Sequence, residues 1–306
     1  MTWWEALLLG VVQGVFMFVP VSSTSHLVVT QHALIALGSD LPSPGDAEMV
    51  LFDLVVHVGT LVSIAVVFRR SLASFIAHAW RDVRAPRPRA AEVTVPAGGA
   101  SPLEIAESPP NGRRAHGLAL RLVFLGVITV GVTGGVGLAL YGVFQAVFDR
   151  PLMIAGTLAI TGVILWITDH LAPRRRGLRR VGVGTAVVVG LAQAAALLPG
   201  ISRSGTTIAA ALFSGMRRRW AAEYSFFVAI PTILAATGVQ LLLVLRDGTD
   251  LVVGVLPLAI GFVSAAVVGV LALRLVLRLL YRAQLRYFSY YVWVAAAGVF
   301  IFALVT

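Results

Sequence analysis

The sequence predicts an all-α integral membrane protein, with six transmembrane helices and two re-entrant helical hairpins arranged as an inverted-topology repeat. Three observations lead to this prediction: an apolar composition, apolar runs of membrane-spanning length, and polar clusters inside two of those runs. Of the 306 residues, 58% are hydrophobic and 12% are charged, and the mean hydropathy is +0.90. Because about 25% of a typical soluble domain is charged, a soluble fold is disfavoured.

The apolar runs can cross a bilayer, because about 20 helical residues span a hydrocarbon layer of roughly 30 Å. Two runs are longer than one crossing requires, and each is interrupted by a proline followed by serines and threonines. We therefore predict a single polytopic membrane domain over residues 1–306. The runs cover about 3–37, 50–68, 118–146, 151–169, 181–215, 220–245, 252–280 and 287–305.

The arginines between the runs predict the orientation of the chain. Eight arginines lie in residues 69–116, five in 174–180 and four in 274–286, whereas the loops at 38–48 and 246–250 are net negative. Basic loops remain on the cytoplasmic side of a membrane. Their position beside apolar runs also explains the net charge of +10 without a nucleic-acid partner.

The run 181–215 has arginines on both flanks, so both of its ends are predicted on the cytoplasmic side. It should therefore enter the membrane, turn between Pro199 and Gly205, and return. Broken backbone at that depth requires burial in protein or a polar cavity. By symmetry, 3–37 would be a hairpin from the outside, and both termini would lie outside.

The two broken runs resemble each other in sequence. Gly10-Val-Val-Gln13 matches Gly190-Leu-Ala-Gln193, and a proline and a serine cluster follow in both. Broken helices from opposite inverted repeats that meet at mid-membrane are a known way to build a binding site. The predicted repeats cover about 1–80 and 181–250.

A segment rich in Pro, Arg, Ala and Gly separates the early runs from the later ones, at residues 81–116. This composition predicts a mobile cytoplasmic loop. The chain contains no cysteine, which excludes disulfides and thiolate metal sites. The sequence does not distinguish a monomer from a homodimer.

The polar cluster after Pro199 has the composition of a phosphate site. Glycines let backbone amides approach an anion, a helix that starts after the loop points its positive end at the anion, and a guanidinium can bind phosphate through two hydrogen bonds. The alternative is a helix cap with an arginine that reaches the interface. The candidate binding residues are Gly200, Ser202, Arg203, Ser204, Gly205, Thr206 and Thr207.

The cluster after Pro20 places hydroxyls before an imidazole. A serine could attack phosphorus, or the hydroxyls could bind phosphate oxygens, and His26 could transfer a proton. The alternative is a helix N-cap with a core histidine. The candidates are Ser22, Ser23 and His26 for catalysis, with Gln13, Thr24 and Ser25 for substrate binding.

Both clusters resemble signatures of the undecaprenyl-diphosphate phosphatase family associated with bacitracin resistance. The first is Gly10-Val-Val-Gln-Gly14 followed by Phe18-Val-Pro-Val-Ser-Ser-Thr-Ser-His26, and the second is Leu198-Pro-Gly-Ile-Ser-Arg-Ser-Gly-Thr-Thr207. Further similar segments are Phe52–Thr60 and Ala222–Pro231, and the likeness covers most of the chain except 81–116.

The resemblance implies a multi-pass enzyme of the bacterial inner membrane, with its site open to the outer side. Such an enzyme removes the terminal phosphate of undecaprenyl diphosphate and regenerates the lipid carrier for peptidoglycan synthesis. It implies that Ser22, Ser23 and His26 serve attack and proton transfer. The implied diphosphate-binding residues, with Arg203 also counted as catalytic, are Ser202, Arg203, Ser204 and Thr207.

One position departs from the family pattern. The acidic pair of the first signature is Gln13 and Met17 here, and a thioether is neither a base nor a ligand that Mg²⁺ or Ca²⁺ prefers. This departure counts against the divalent cation that the resemblance suggests as a cofactor, and it makes Asp53 a candidate substitute acid. It also leaves two alternatives to an active diphosphatase: a non-catalytic protein that binds or translocates a polyprenyl phosphate, and a degenerate or engineered family member.

Overall fold

The computed structural model describes residues 1–84, 117–140, 142, 151–171, 176–246 and 254–305. All of the regular elements in these ranges are helical. The α-helices are α1 (Trp3–Phe16), α2 (Ser23–Ala36), α3 (Ala47–Val67), α4 (Arg69–Arg84), α5 (Leu118–Ala139), α6 (Pro151–His170), α7 (Val183–Ala195), α8 (Arg203–Phe213), α9 (Arg218–Arg246), α10 (Val255–Tyr281) and α11 (Arg286–Val305).

Within the described ranges, α3, α5, α6, α9, α10 and α11 are the six helices that are long and apolar enough to cross a membrane. This confirms the predicted number of long spans and the all-α class. The helices α1 and α7 are apolar but shorter, with 14 and 13 residues respectively.

The two broken runs form helix pairs, α1 with α2 and α7 with α8, and the helices of each pair pack against each other. Each break contains a proline, which has no N–H to continue a helix. Each break also contains one residue with positive φ, Ser22 at +70° in the first and Gly200 at +90° in the second. The first helix of each pair therefore stops, and the chain reverses before the next helix begins.

Each helix pair packs on a long helix from the other half of the chain. In α1, a Cβ added at Gly10 would lie 2.6 Å from the carbonyl oxygen of Gly261 in α10. In α7, a Cβ added at Gly190 would lie 2.8 Å from the carbonyl oxygen of Thr129 in α5. Glycine allows this close backbone approach, so both contacts join an early part of the chain to a late part.

The helix α4 was not predicted. The sequence analysis counted residues 69–80 within a basic loop and began the mobile linker at 81, whereas the structure continues a helix to Arg84. This helix is amphipathic, with exposed Ile76, Trp80 and Val83, and such helices lie at a membrane interface rather than across it. Because this helix contains arginines as well as apolar residues, a search for apolar runs did not detect it. The rest of the linker, residues 85–116, lies outside the described residues.

Candidate functional site

The two interhelical turns, residues 17–22 and 196–202, meet in the interior of the protein. The backbone N–H of Gly200 donates to Oγ of Ser22 at 3.3 Å, and Oγ of Ser204 donates to the carbonyl oxygen of Phe18 at 3.4 Å. A Cβ at Gly205 would lie 3.2 Å from Cβ of Pro20. The structure therefore brings together the two polar clusters that the sequence analysis assigned to one site.

Phe18 holds the first turn in the hydrophobic core, next to the place where the two turns meet. Its side chain is fully buried, and its ring lies 5.9 Å, centroid to centroid, from the ring of Phe226 in α9. The second turn is fastened to α6, where Thr161 donates to the carbonyl oxygen of Gly200 at 2.8 Å and accepts from the N–H of Ser202 at 3.1 Å. The first turn thus packs on α9, and the second turn is hydrogen-bonded to α6.

Arg203 is the cation at the junction. Its Nη1 is buried and has no hydrogen-bond partner in the described part of the chain, and its Nη2 lies 4.0 Å from Sδ of Met17. A guanidinium inside a membrane protein is costly unless it has a partner. The Nη1 atom of Arg203 can therefore donate hydrogen bonds to an anionic ligand.

Met17 occupies the centre of the cluster and is 7% exposed. Three donors surround its sulfur: Nε2 of Gln13 at 3.6 Å, Oγ of Ser23 at 4.0 Å and Nη2 of Arg203 at 4.0 Å. A thioether is only a weak acceptor, so these donors are poorly satisfied. The Oε1 atom of Gln13 is also buried without a partner among the described residues.

Ser22 adopts a left-handed backbone conformation at the start of α2, with φ of 70° and ψ of 89°. This region is unfavourable for residues other than glycine, and such strain concentrates at functional sites. Besides accepting from Gly200, the Ser22 hydroxyl lies 3.1 Å from the hydroxyl of Ser25. Ser22 therefore joins the two turns, while the Ser23 hydroxyl approaches the same Met17 sulfur as the Arg203 guanidinium.

His26 lies in the first turn of α2 with both ring nitrogens engaged. Its Nδ1 is 2.8 Å from the carbonyl oxygen of Ser22, and its Nε2 is 2.7 Å from the hydroxyl of Tyr291 in α11. The ring also stacks on Phe16 at 4.0 Å between centroids. Tyr291 was missed in the sequence analysis, because nothing in the pattern of the aromatic-rich last run singles it out.

The hydroxyls of the second cluster serve mainly to build the start of α8. Ser202 caps the helix by accepting from the N–H of Gly205 at 3.2 Å, and Ser204 reaches back to the first turn. The Thr207 hydroxyl lies 2.5 Å from the Ser225 hydroxyl and so fixes α8 to α9. The Thr206 hydroxyl is buried and has no partner within the described residues.

Two sequence-predicted residues make no hydrogen bond or ion pair with the guanidinium within the described ranges. Thr24 is exposed. The carboxylate of Asp53 accepts from Nε2 of Gln31 at 2.9 Å, and no ion pair joins it to Arg203 among the described residues. One turn along the same helix, Nδ1 of His57 donates to the backbone carbonyl oxygen of Asp53 at 2.6 Å.

The side chains around Met17 do not suit a divalent cation. Mg²⁺ and Ca²⁺ require several oxygen ligands, usually with carboxylates, whereas this cluster presents a thioether, an arginine and one amide oxygen. Within the described residues, no group of three or more His, Asp or Glu side chains could hold a metal ion. The donor set instead favours an oxyanion.

The chain is similar to known proteins over nearly its whole length. Residues 6–298 match the family described as bacitracin resistance protein BacA. An undecaprenyl-diphosphatase from Alkalilimnicola ehrlichii is 54% identical over 98% of this chain and 96% of its own length. Undecaprenyl-diphosphatases from Halorhodospira halophila and Salinibacter ruber are 52% and 37% identical, over 98% and 95% of this chain and over 97% and 96% of their own lengths.

Proposed function

The chain belongs to the family of bacitracin resistance protein BacA, and we propose that its two converging turns form the site at which it hydrolyses undecaprenyl diphosphate. It is an undecaprenyl-diphosphatase, like relatives that are 52% and 54% identical over 98% of the chain. The observation that carries the site assignment is the buried Nη1 of Arg203, which has no protein partner in the described ranges.

The terminal phosphate of the substrate binds between the turns. Arg203 donates to two phosphate oxygens, since a guanidinium and a phosphate match as a pair of parallel hydrogen bonds. The start of α8 lies at the same place, and its first backbone N–H groups and positive end favour the anion. The Thr206 hydroxyl and the amide of Gln13 supply further polar contacts, while Ser202, Ser204 and Thr207 hold the helix start in position.

Ser23 is the attacking hydroxyl. Its hydroxyl and the guanidinium both lie at the Met17 sulfur, whereas the Ser22 hydroxyl is occupied in joining the turns. Its oxygen forms a bond to the terminal phosphorus, the bond from phosphorus to the bridging oxygen breaks, and undecaprenyl phosphate leaves. The hydroxyl proton passes to Nε2 of His26, three residues further along the same helix face, once the Tyr291 hydroxyl that bonds this nitrogen is displaced. Water then cleaves the phosphoserine and releases phosphate.

Met17 gives the non-catalytic alternative its support, because no carboxylate lies at the centre of the cluster. Binding or translocation of a polyprenyl phosphate would need the guanidinium but no attacking group. The high identity to named diphosphatases favours hydrolysis instead. Asp53, whose carboxylate is held by Gln31, has no step in this mechanism, and no step is assigned to a metal ion.

The helix pairs α1–α2 and α7–α8 are re-entrant hairpins in an inverted repeat. Equivalent glycines, Gly10 and Gly190, support this proposal, because each packs its hairpin on a long helix of the other half. The arginines near both ends of the second hairpin support a cytoplasmic origin for that hairpin. The site then opens to the outer side of the bacterial inner membrane, and one chain supplies both hairpins, so a homodimer is not required.

Phosphate release from undecaprenyl diphosphate by the purified protein tests the assignment. Arg203→Gln should reduce kcat/KM by about 100-fold or more, as expected when a charged hydrogen-bond donor to the transition state is removed. The matched control is Arg282→Gln, an exposed arginine at the end of α10, which should retain wild-type rates. Equal activity of Arg203→Gln and Arg282→Gln would contradict the proposal.

A further inference from the structure

A cavity lies on a different face of α9 from the two turns of the site. It is enclosed by α4 and the N-terminal parts of α5 and α9, and its volume is about 880 Å³. On α9, Tyr224 and Phe227 line this cavity. Phe226 does not line it and instead packs on Phe18 of the first turn. The proposed hydrolysis therefore does not use this cavity.

The walls of the cavity are mostly apolar and have the depth of one membrane leaflet. The lining residues extend along Leu118–Gly131 of α5 and Arg219–Pro231 of α9. At about 1.5 Å per residue, each stretch is roughly 20 Å long, compared with a hydrocarbon layer of roughly 30 Å. Both helices follow predicted cytoplasmic loops, so the cavity extends from the cytoplasmic surface to about the middle of the bilayer. This is the depth that an acyl chain of the cytoplasmic leaflet occupies.

Two arginines lie at the cytoplasmic mouth of the cavity. Arg179 is exposed, and its guanidinium makes no hydrogen bond within the described ranges. Arg219 donates through Nε to Glu223 at 3.1 Å, its side chain is 65% exposed, and its guanidinium lies 5.0 Å from the ring centroid of Trp220. Because Glu223 offsets the charge of Arg219, the net positive charge at the mouth comes from Arg179. Both guanidinium groups retain N–H donors for a phosphate.

The amphipathic helix α4 forms the third wall. Leu72 and Phe75 are its apolar contributions, and Ser71, Ser74 and His78 are its polar ones. A helix of this kind lies at the level of the lipid headgroups, so its polar groups are placed beside the arginines at the mouth. Basic pockets between helices on the cytoplasmic side of a membrane are typical binding sites for anionic headgroups.

We propose that this cavity binds a phospholipid with a net negative headgroup from the cytoplasmic leaflet. Its phosphate lies at Arg179 and Arg219, and an acyl chain lies between α5 and α9. A zwitterionic phospholipid is disfavoured because its cationic group would meet the positive mouth. An undecaprenyl chain is much longer than the cavity is deep. This site is separate from the catalytic one, and it does not depend on hydrolysis.

Native mass spectrometry of the purified full-length protein tests the role of the mouth. We expect phosphatidylglycerol to bind about fivefold or more tightly than phosphatidylcholine with the same acyl chains, because one arginine near an anionic headgroup contributes that factor. Arg179→Gln should remove this difference. The matched control is Arg180→Gln, which removes an equally exposed arginine that does not line the cavity. Equal binding of the two phospholipids by the wild type, or an equal loss in both variants, would overturn the proposal.

A wide side chain inside the cavity tests where the acyl chain lies. Gly126 lines the cavity, and Gly134 in the same helix does not, although a Cβ at either position would meet nothing within 4 Å. We expect Gly126→Trp to weaken phosphatidylglycerol binding about tenfold or more, because the indole occupies apolar space that the chain needs. Gly134→Trp should bind as the wild type does, and both variants should retain the melting temperature and phosphate release. Wild-type lipid binding by Gly126→Trp would overturn the assignment of the cavity.

Undecaprenyl phosphate is the competitor that tests the identity of the occupant. We expect an equimolar amount of it to leave phosphatidylglycerol bound to the wild type. If it displaced phosphatidylglycerol, and its own binding were lost in Gly126→Trp, the cavity would hold the carrier lipid and the proposal would be overturned. Loss of phosphate release in Arg203→Gln with unchanged phosphatidylglycerol binding would confirm that the two sites are independent, whereas loss of both in that variant would contradict it.

Discussion

At the residue scale, the site depends on an arginine that faces a sulfur atom. A carboxylate at position 17 would accept hydrogen bonds from Gln13, Ser23 and Arg203 together, because all three already point at Sδ. Methionine offers them only a weak acceptor. The guanidinium consequently keeps its full charge for the substrate, and the serine lacks an adjacent base.

Restoring a carboxylate at this position should raise activity. In Met17→Glu, the new carboxylate can accept the Ser23 proton as a general base, and such groups typically contribute about 100-fold or more to a rate. We expect at least a tenfold rise in kcat for phosphate release. Met17→Gln, which has similar size but no charge, is the control and should stay near wild type. A fall in activity in Met17→Glu would mean that the carboxylate neutralises the guanidinium that the phosphate needs.

The two neighbouring serines should respond differently to removal of the hydroxyl. We expect Ser23→Ala to abolish phosphate release without a change in melting temperature, because its hydroxyl is the attacking group. Ser22→Ala removes the acceptor of the buried N–H of Gly200 and should lower the free energy of unfolding by about 1–3 kcal/mol. Phosphate release and thermal unfolding of both variants check this. Wild-type turnover by Ser23→Ala would transfer the attacking role to another group.

At the element scale, the helix pairs are positioned by glycines at their contacts with long helices. Gly190 in α7 has no room for a Cβ beside Thr129 and Val132 in α5, whereas a Cβ at Gly184 in the same helix would meet nothing within 4 Å. The two positions are therefore a matched pair on one helix. Only Gly190 lies at the contact between α7 and α5.

Substituting alanine at these two glycines should have opposite effects. Gly190→Ala forces α7 and α5 apart and should destabilise the protein by about 1–3 kcal/mol, the usual cost of overpacking. Gly184→Ala should be neutral or stabilising by up to about 1 kcal/mol, because alanine is the better helix former. Thermal unfolding in detergent measures both. Equal stabilities would mean that the α7–α5 contact does not position the second hairpin.

The sequence predicted the elements unequally well, for physical reasons. Prolines and serine clusters inside apolar runs are rare, so both breaks were found, with the polar groups on each side of them. The interfacial helix α4 was missed because its stretch without arginine, residues 71–80, is short and has arginines on both sides. The exposure of Thr24, the bond of Thr207 to Ser225 and the contact of Tyr291 with His26 depend on the rotation and packing of whole helices, which no local pattern records.

At the scale of the whole molecule, the predicted inverted topology requires that equivalent hairpins open to opposite sides of the membrane. The chain has no native cysteine, so single introduced cysteines report the accessibility of each position. We expect Ser43→Cys, between α2 and α3, to react with an impermeant reagent from outside intact cells. Gly182→Cys and Ser214→Cys, at the two ends of the α7–α8 hairpin, should react only in inside-out vesicles. If Gly182→Cys and Ser214→Cys reacted from opposite sides of the membrane, residues 181–215 would cross the membrane once instead of forming a hairpin.

The central claim is that Arg203 holds the terminal phosphate between the two turns, and solid-state NMR tests it most directly. The measurement is dipolar coupling between arginine guanidinium nitrogen-15 and phosphorus-31 of a bound, non-hydrolysable methylene analogue of undecaprenyl diphosphate. A hydrogen bond of about 2.8 Å from nitrogen to oxygen predicts strong coupling that disappears in Arg203→Gln and persists in Arg282→Gln. Coupling that is absent from the wild type, or that survives in Arg203→Gln, would contradict the account.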